Sequence, residues 1–212
     1  MPISETYNID CLQFMATCKD KQFDLAIVDP PYGIDINMNM GRKKGKRKNH
    51  KDKDWDNLAP DDLYFDQLFR VSKNQIIWGG NYFYLPPTYH FIFWDKQNPD
   101  GMSFSDGEYA WTSFNMAIRK YTFRNVTGDK IHPTQKPVQL YKWLLKNYAK
   151  EGDTIFDSHG GSMSSVIACI DGGFPITCCE LDPDYYEAGK KRVMNHLAQL
   201  DCFIERPEII WH

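Results

Sequence analysis

The stretch that most constrains the fold is Phe23-Asp24-Leu25-Ala26-Ile27-Val28, an apolar run that ends on Asp29-Pro30-Pro31-Tyr32. Its length and branched, apolar content suit a buried parallel strand. Two successive prolines must stop that strand, because neither nitrogen can donate to a ladder and both rings fix φ. A rigid carboxylate, pinned carbonyls and an aromatic ring are therefore expected at the carboxyl end of a strand. In open α/β sheets that edge is where ligands bind. An ordinary Asp-Pro turn with a tyrosine behind it would use the same four residues, so the rest of the chain has to separate the two readings.

Strand-like and helix-like patterns alternate along the whole chain. Strands are expected at residues 7–9, 75–78, 89–94, 154–157, 175–180 and 202–205. Pieces 108–114 and 115–119 read as a sheet-edge hairpin, with 120–131 as a short connection. A helix over 10–19, capped by Asp10, carries Leu12, Met15 and Ala16 on one face. A second opens at Pro60-Asp61-Asp62 with Leu63, Leu68 and Phe69. A third, over 133–148, carries Val138, Tyr141, Leu144, Leu145 and Tyr148 inward, a fourth carries Val166, Ile167 and Ile170, and a fifth spans 183–200 with Tyr186, Val193, Leu197 and Leu200 inward. The pattern predicts an α/β fold: a doubly wound, mainly parallel sheet with helices on both faces and one antiparallel edge hairpin. At 212 residues a single domain over 1–212 is expected, with no internal repeat.

Residues 33–60 are polar and basic without periodicity, which predicts a mobile loop close to Tyr32. Within it, 41–53 hold eight Lys or Arg and one Asp, in a chain whose formal charge is only −3. A compact basic run on an acidic body points to a polyanion bound at one place. Arg42, Lys43, Lys44, Lys46, Arg47 and Lys48 are the candidate phosphate contacts. No apolar stretch reaches the roughly 18 residues of a membrane span, and residues 1–6 lack the basic and apolar parts of a signal peptide. The six cysteines match no zinc spacing: Cys11 and Cys18 lie seven apart and no CxxC occurs. Reduced core cysteines, no bound metal and a cytoplasmic location follow as expectations.

A second candidate site lies at 154–171, where a strand turns through Ser158-His159-Gly160-Gly161-Ser162 into a helix. Glycines permit close backbone approach and a helix start offers unpaired N–H groups. Neither a GxGxxG spacing nor a P-loop lysine is present. About 20 residues on, a strand ends in Glu180, followed by Asp182, and an acid there can hold ribose hydroxyls. A packing turn remains the alternative, although Glu180 favours an adenosine-type ligand. Lys130-Ile131-His132-Pro133-Thr134-Gln135-Lys136-Pro137 is held extended by its prolines, so Thr134 and Lys136 can present polar groups to a neighbour.

These motifs resemble those of the amino-methyltransferases, which move a methyl group from S-adenosylmethionine to an exocyclic base nitrogen. Asp-Pro-Pro-Tyr early, His-Pro-Thr-Gln-Lys-Pro in the middle and Phe-Asp…Gly-Gly-Ser late follow the order of the permuted β group of DNA adenine-N6 methyltransferases. The similarity runs from about residue 7 to residue 195. It implies catalytic roles for Asp29, Pro30, Pro31 and Tyr32, and a place beside the cofactor for Asp29 as well. It places Asp10, with Cys11 beside it, near the cofactor adenine, and Thr134 and Lys136 near the methionine end, with Lys136 on its carboxylate. Asp157, Gly160, Gly161 and Ser162 match the cofactor turn, and Glu180, followed by Asp182, the ribose acid. Trp78-Gly79-Gly80-Asn81 is similar to a stretch lining the target pocket. The chain departs from the family turn, Asp-Pro-Phe-x-Gly-Ser-Gly-Thr-Thr, with His159 at the aromatic position and Met163 at the last glycine. No separate target-recognition domain is expected.

The chemistry matches these residue types. The N6 lone pair of adenine is delocalised into the ring, and acceptors on its N–H groups favour a tetrahedral nitrogen. The Asp29 carboxylate and the Pro30 carbonyl are two such acceptors, and an ionised Asp29 also stabilises developing positive charge. Tyr32 can stack on a base flipped from the duplex. The resemblance thus implies N6 methylation of adenine in DNA with S-adenosylmethionine as cofactor; DNA is the expected partner, and a homodimer is an open alternative. The alternatives are cytosine-N4 methylation, an RNA substrate, and a catalytically inactive nucleic-acid-binding partner of the same fold.

Overall fold

The computed structural model describes residues 3–34, 59–99, 105–124, 131–132, 134–199 and 208–212. The basic residues 42–48, Leu200 and the expected strand at 202–205 lie outside them. Nine strands among the described residues form one sheet in the order β6-β4-β5-β3-β2-β7-β8-β1-β9. In chain order these are β1 (Ser4–Tyr7), β2 (Phe23–Val28), β3 (Ser72–Trp78), β4 (Phe91–Asp95), β5 (Gly107–Thr112), β6 (Arg119–Thr122), β7 (Ile155–Asp157), β8 (Ile176–Cys179) and β9 (Ile209–Trp211). The helices are α1 (Cys11–Thr17), α2 (Asp62–Val71), α3 (Val138–Tyr148), α4 (Ser164–Gly172) and α5 (Pro183–Gln199).

Strand alternation sorts the core into two layers. Leu25, Ile27, Ile76, Trp78, Ile155 and Cys178 face one cluster with the inward residues of α3, α4 and α5. Their neighbours Ala26, Val28, Ile77, Phe156 and Cys179 face the other, filled by Phe14, Met15, Tyr64 and Leu68 of α1 and α2. Successive side chains on a strand point to opposite faces, so adjacent Cys178 and Cys179 belong to different layers. Near-continuous apolar strands covered on both faces are what a buried parallel sheet requires.

Among the described residues all pairings are parallel except those of β5, which runs antiparallel to both β3 and β4. The hairpin is therefore β4–β5, inside the sheet, and not 108–114 with 115–119. β6 instead lies parallel to β4 at the edge and takes up residues expected to be a connection. β1 begins earlier than expected because its inward positions are Ser4 and Thr6, buried but polar; Thr6 is satisfied by Tyr186 Oη at 3.3 Å. β9, three residues long, has no sequence signal and adds parallel to β1.

Helix boundaries follow their caps. Asp10 accepts from Gln13 N–H and Asp61 from Tyr64 N–H, each satisfying an orphan donor of the first turn. The inward stripe of α2 is Tyr64, Leu68 and Val71, which leaves Leu63 on the outer side and exposed. In α1 Phe14 and Met15 are buried and Ala16 is exposed. α3 starts at Val138, five residues later than expected, because the segment leading to Pro137 stays extended.

Candidate active site

β2 and β7 are neighbours, with Leu25 opposite Ile155. From β2 the chain crosses to β3 on one side, and from β7 to β8 on the other. The carboxyl ends of the two strands thus flank a topological switch point, where a crevice opens in doubly wound sheets. The cleft there has a volume of about 480 Å³, within the range of small-molecule sites. Its walls bring together Asp10 and Cys11, residues 29–32, Thr134 and Lys136, Gly160 to Ser162, Glu180 and Asp182. Segments expected to form two sites from opposite ends of the chain share one cavity. Asp157 is the exception: it sits 2% exposed behind the wall.

At one end Asp29, Tyr32, Lys136 and Glu108 form a closed network. Asp29 Oδ1 accepts from the Tyr32 hydroxyl at 2.7 Å, and its other oxygen is ion-paired with Lys136 Nζ. Lys136 Nζ lies 3.0 Å from Glu108 Oε2, and Glu108 Oε1 is paired in turn with Lys96. Burial lifts the pKa of Asp29 above the usual carboxylate value against the pull of Lys136. Burial acts the same way on Glu108, but the lysines on either side prevail and bring it down to about 2. Lys136 is penalised by burial, yet its two carboxylates raise its pKa. The family resemblance placed Lys136 on a cofactor carboxylate; the structure pairs its ammonium with two carboxylates of the chain itself.

The Tyr32 ring stacks on Tyr82 with centroids 4.9 Å apart and planes 16° from parallel. Gly79, at φ +72°, lies against the same ring, and a Cβ there would come 2.2 Å from Tyr32 Cε1. Only glycine lets the end of β3 approach so closely. This gives Gly79 a physical role beside the tyrosine, while Gly80 lies against Trp111.

At the other end the chain turns from β7 into α4. Gly161, at φ +50°, donates its N–H to Glu180 Oε2 at 2.6 Å, and Asp182 N–H donates to Oε1 at 2.9 Å. The acid expected to hold a ribose is thus oriented by backbone donors, and a carboxylate so held keeps lone pairs for further hydroxyls. Burial raises the Glu180 pKa, opposed by those same backbone donors. Ser164 Oγ donates to the Lys136 carbonyl at 2.8 Å, tying the turn to the segment before α3.

The two unusual residues of the turn are both accommodated. The His159 ring packs edge-on to Tyr64 at 5.5 Å, and its Nδ1 is 2.8 Å from Ser158 Oγ. Burial drives its pKa down to about 4, so the imidazole is neutral at pH 7 and stands in for an aromatic ring. Met163 adopts φ +54°, where glycine is at ease, and its buried side chain fills the space left by Gly189. Behind them, Asp157 accepts from Ser165 Oγ at 2.5 Å and from His159 N–H at 3.0 Å, and burial raises its pKa to about 7.

The donor set suits an adenosine-type cofactor. Ile9, Leu181 and Pro183 give apolar faces near the acceptors of Asp10 and Glu180. Leu181 is 65% exposed, an apolar side chain at a cleft mouth that a nucleobase would cover. Glu108 and Lys96 were not foreseen. Nothing at the start of β5 marks a functional carboxylate, and only the register of Trp94 against Glu108 brings that strand end to the cleft.

A doubly wound sheet with such a cleft at its switch point is shared with the class I methyltransferase structures that this chain matches. The chain belongs to the DNA methylase family of N6 and N4 amino-methyltransferases, S-adenosylmethionine-dependent enzymes of DNA: the family model matches residues 77–191, more than half the chain. YubD of Escherichia coli (strain K12) is 23% identical over 203 residues, covering 87% of each chain. Type II methyltransferase M2.MboI of Moraxella bovis is 22% identical, over 88% of this chain and 86% of its own. Among solved structures, the M1.HpyAVI–SAM complex shares the fold with a TM-score of 0.60 at 19% identity, over 90% of this chain and 99% of its own. The cytosine-N4-specific PvuII DNA methyltransferase does so with a TM-score of 0.60 at 14% identity, over 97% and 89%. Among the described residues no helix is long and apolar enough to cross a membrane.

Proposed function

We propose that the protein transfers methyl from S-adenosylmethionine to the N6 amino group of a flipped-out adenine in DNA, as a single cytoplasmic domain over residues 1–212. The observation that carries this reading is the position of Asp29 and Pro30 on the wall that also holds the 160–162 turn and Glu180. When bound, the cofactor supplies an electrophilic methyl on a sulfonium. Asp29 and the Pro30 carbonyl accept the amino N–H groups, which turns the nitrogen lone pair toward that methyl. Ionised Asp29 stabilises the positive charge that develops on nitrogen, and the surplus proton leaves after transfer. Tyr32 bounds the base, and Pro31 keeps a competing N–H out of the site.

Glu180 holds the ribose hydroxyls, with Gly161 and Asp182 fixing its carboxylate. Asp10 and Cys11 lie by the adenine, and Gly160, Ser162 and Thr134 line the remaining wall. Asp157 supports the turn from behind. Positioning of this kind accounts for roughly 7–11 kcal/mol of barrier lowering at best.

Asp at position 29 favours adenine; the relationship to a cytosine-N4-specific fold neighbour makes N4-methylcytosine the competing product. Labelled-methyl transfer to unmethylated DNA and RNA, followed by nucleoside analysis, tests the reading. Label in N6-methyladenine from DNA supports it; label in N4-methylcytosine, or from RNA alone, overturns the substrate assignment. Arg42, Lys43, Lys44, Lys46, Arg47 and Lys48 contact phosphates in this reading. DNA affinity should then fall steeply between about 50 and 300 mM salt, by roughly 10³-fold or more for six contacts. A flat salt response would remove that role.

A further inference from the structure

We infer that the segment after β3 is a base-stacking platform: Tyr82 and Tyr84 cover bases that lose their partners when the target leaves the duplex. This rests on the reading that DNA opens beside Tyr32, and it adds a second aromatic surface outside the cofactor cleft. Residues 79–90 lead from β3 to β4, and over 82–85 their side chains alternate. Phe83 and Leu85 pack on the layer of α1 and α2, with the Phe83 ring 5.1 Å from that of Phe65. Tyr82 and Tyr84 lie on the outside, 46% and 99% exposed.

The backbone that carries these rings is held. Gly79 N–H donates to the Tyr109 carbonyl at 2.9 Å, Tyr82 N–H to that of Gly79 at 2.8 Å and Leu85 N–H to that of Phe83 at 3.1 Å. Trp111 Nε1 donates to the Pro86 carbonyl at 2.7 Å and Thr88 Oγ1 to that of Thr112 at 2.6 Å. Pro86 and Pro87 fix φ just beyond Leu85. A tyrosine on such a support gives up little more than its side-chain torsions when it stacks, so a small ordering cost opposes binding. In the free protein the Tyr84 ring contributes no burial to the fold.

Position selects the occupant. The Tyr82 ring stacks on Tyr32 at 4.9 Å, so the platform continues the proposed target pocket. Tyr84 follows two residues on, within roughly 7 Å of chain. Gly33, next to Tyr32 in the chain, lies against Ala59. The chain therefore enters and leaves the stretch holding Arg42 to Lys48 beside the same tyrosine, and a polyanion drawn there brings its bases to Tyr82 and Tyr84. Every base has a π face that an aromatic ring can cover, and flipping one base out of a duplex uncovers such faces.

The test is Tyr84→Ala, with Tyr84→Trp as the variant that keeps an aromatic face. Tyr84 lies outside the cleft wall and the core, so truncating it spares both. Fluorescence anisotropy measures binding to two labelled DNA duplexes of one sequence, one fully paired and one with an unpaired adenine bulged at its centre, over a salt series. Calorimetry with S-adenosylmethionine is run on the same preparations. Wild type should prefer the bulged duplex. Tyr84→Ala should bind it roughly 5- to 150-fold more weakly, the worth of one base–aromatic stack, and lose much less on the paired duplex. Tyr84→Trp should retain the preference. Stacking neutralises no phosphate, so the salt slope should not change. Cofactor affinity should stay at the wild-type value.

Equal affinity of wild type and Tyr84→Ala for the bulged duplex would overturn the inference. A loss of the same size on both duplexes would make Tyr84 a backbone contact and overturn it too. A change of oligomeric state in Tyr84→Ala, read by sedimentation with DNA affinity unmoved, would give the patch to a second copy of the chain instead. Wild-type protein that prefers the bulged duplex through Tyr84 but transfers no methyl to DNA would overturn the proposed function and leave the platform standing.

Discussion

At the Asp29 end of the cleft two carboxylates and two ammonium groups are ion-paired in contact, although burial still lifts Asp29, whereas at the 157–163 end burial acts on groups with no ion pair among the described residues. Lys136 and Glu108 remain ionised because each has an opposite charge at its side. His159 and Asp157 have no such partners in contact among the described residues; burial lowers the first to about 4 and raises the second to about 7. The contrast fits the tasks proposed for the two ends. An amino group that becomes cationic needs a fixed negative acceptor. In the proposed reading the cofactor turn needs oriented N–H groups and neutral walls, which Gly161, Asp182 and the His159 ring would supply.

The largest effect that would break this contrast lies in the pH dependence of stability. Between about pH 4 and 7 native Asp157 keeps a proton that the unfolded chain has lost, so its contribution falls as pH rises. Between about 4 and 6.5 native His159 refuses a proton that the unfolded chain binds, so its contribution rises with pH. In the wild-type protein the two oppose each other. Asp157→Asn should leave the His159 slope exposed, with stability rising from pH 4 to 6.5. His159→Phe should leave the opposite slope, falling toward pH 7. Each change is on the order of 2–4 kcal/mol across its window. Urea unfolding at a series of pH values reads both; parallel curves for the two variants would contradict the assignment.

Next in size is Glu180→Ala, which removes an acceptor held by two backbone donors and leaves them unpaired. It should weaken S-adenosylmethionine binding by about 2–3 kcal/mol, roughly 30- to 150-fold, and leave the acid limb of the rate profile in place. Calorimetric affinity equal to wild type would remove Glu180 from the cofactor half. Met163→Gly sharpens the comparison least. It relieves about 1–2 kcal/mol of left-handed backbone strain but deletes a fully buried side chain costing about 2–5 kcal/mol, for a net destabilisation of roughly 1–3 kcal/mol. A stabilised variant in urea unfolding would show that the methionine is no adaptation to Gly189.

The two halves also differed in how far the sequence disclosed them. Asp29 to Tyr32 was legible because an apolar run cannot continue through two prolines. Glu180 was legible because it ends the strand after a glycine turn. Inward faces of α3 and α5 followed from period, but Leu63 and Ala16 did not, since a stripe of tyrosine and phenylalanine competes with them for the core. Buried polar positions such as Ser4 and Thr6 hid the true start of β1. Glu108 and Lys96 stayed hidden because their importance comes from a reversed strand that carries a carboxylate to Lys136, 28 positions further along the chain. Asp157 kept its family position but sits behind the wall, a matter of burial that a motif does not encode.

The claim on which the account depends is that Asp29 acts on the amino group and not on the cofactor. Asp29→Ala, assayed by single-turnover methyl transfer to unmethylated DNA with S-adenosylmethionine affinity measured on the same preparation, addresses it most directly. The account predicts a loss of transfer of about 10²-fold or more, by analogy with the removal of one charge-stabilising group, with cofactor affinity within about threefold of wild type. Transfer at the wild-type rate in Asp29→Ala would contradict it.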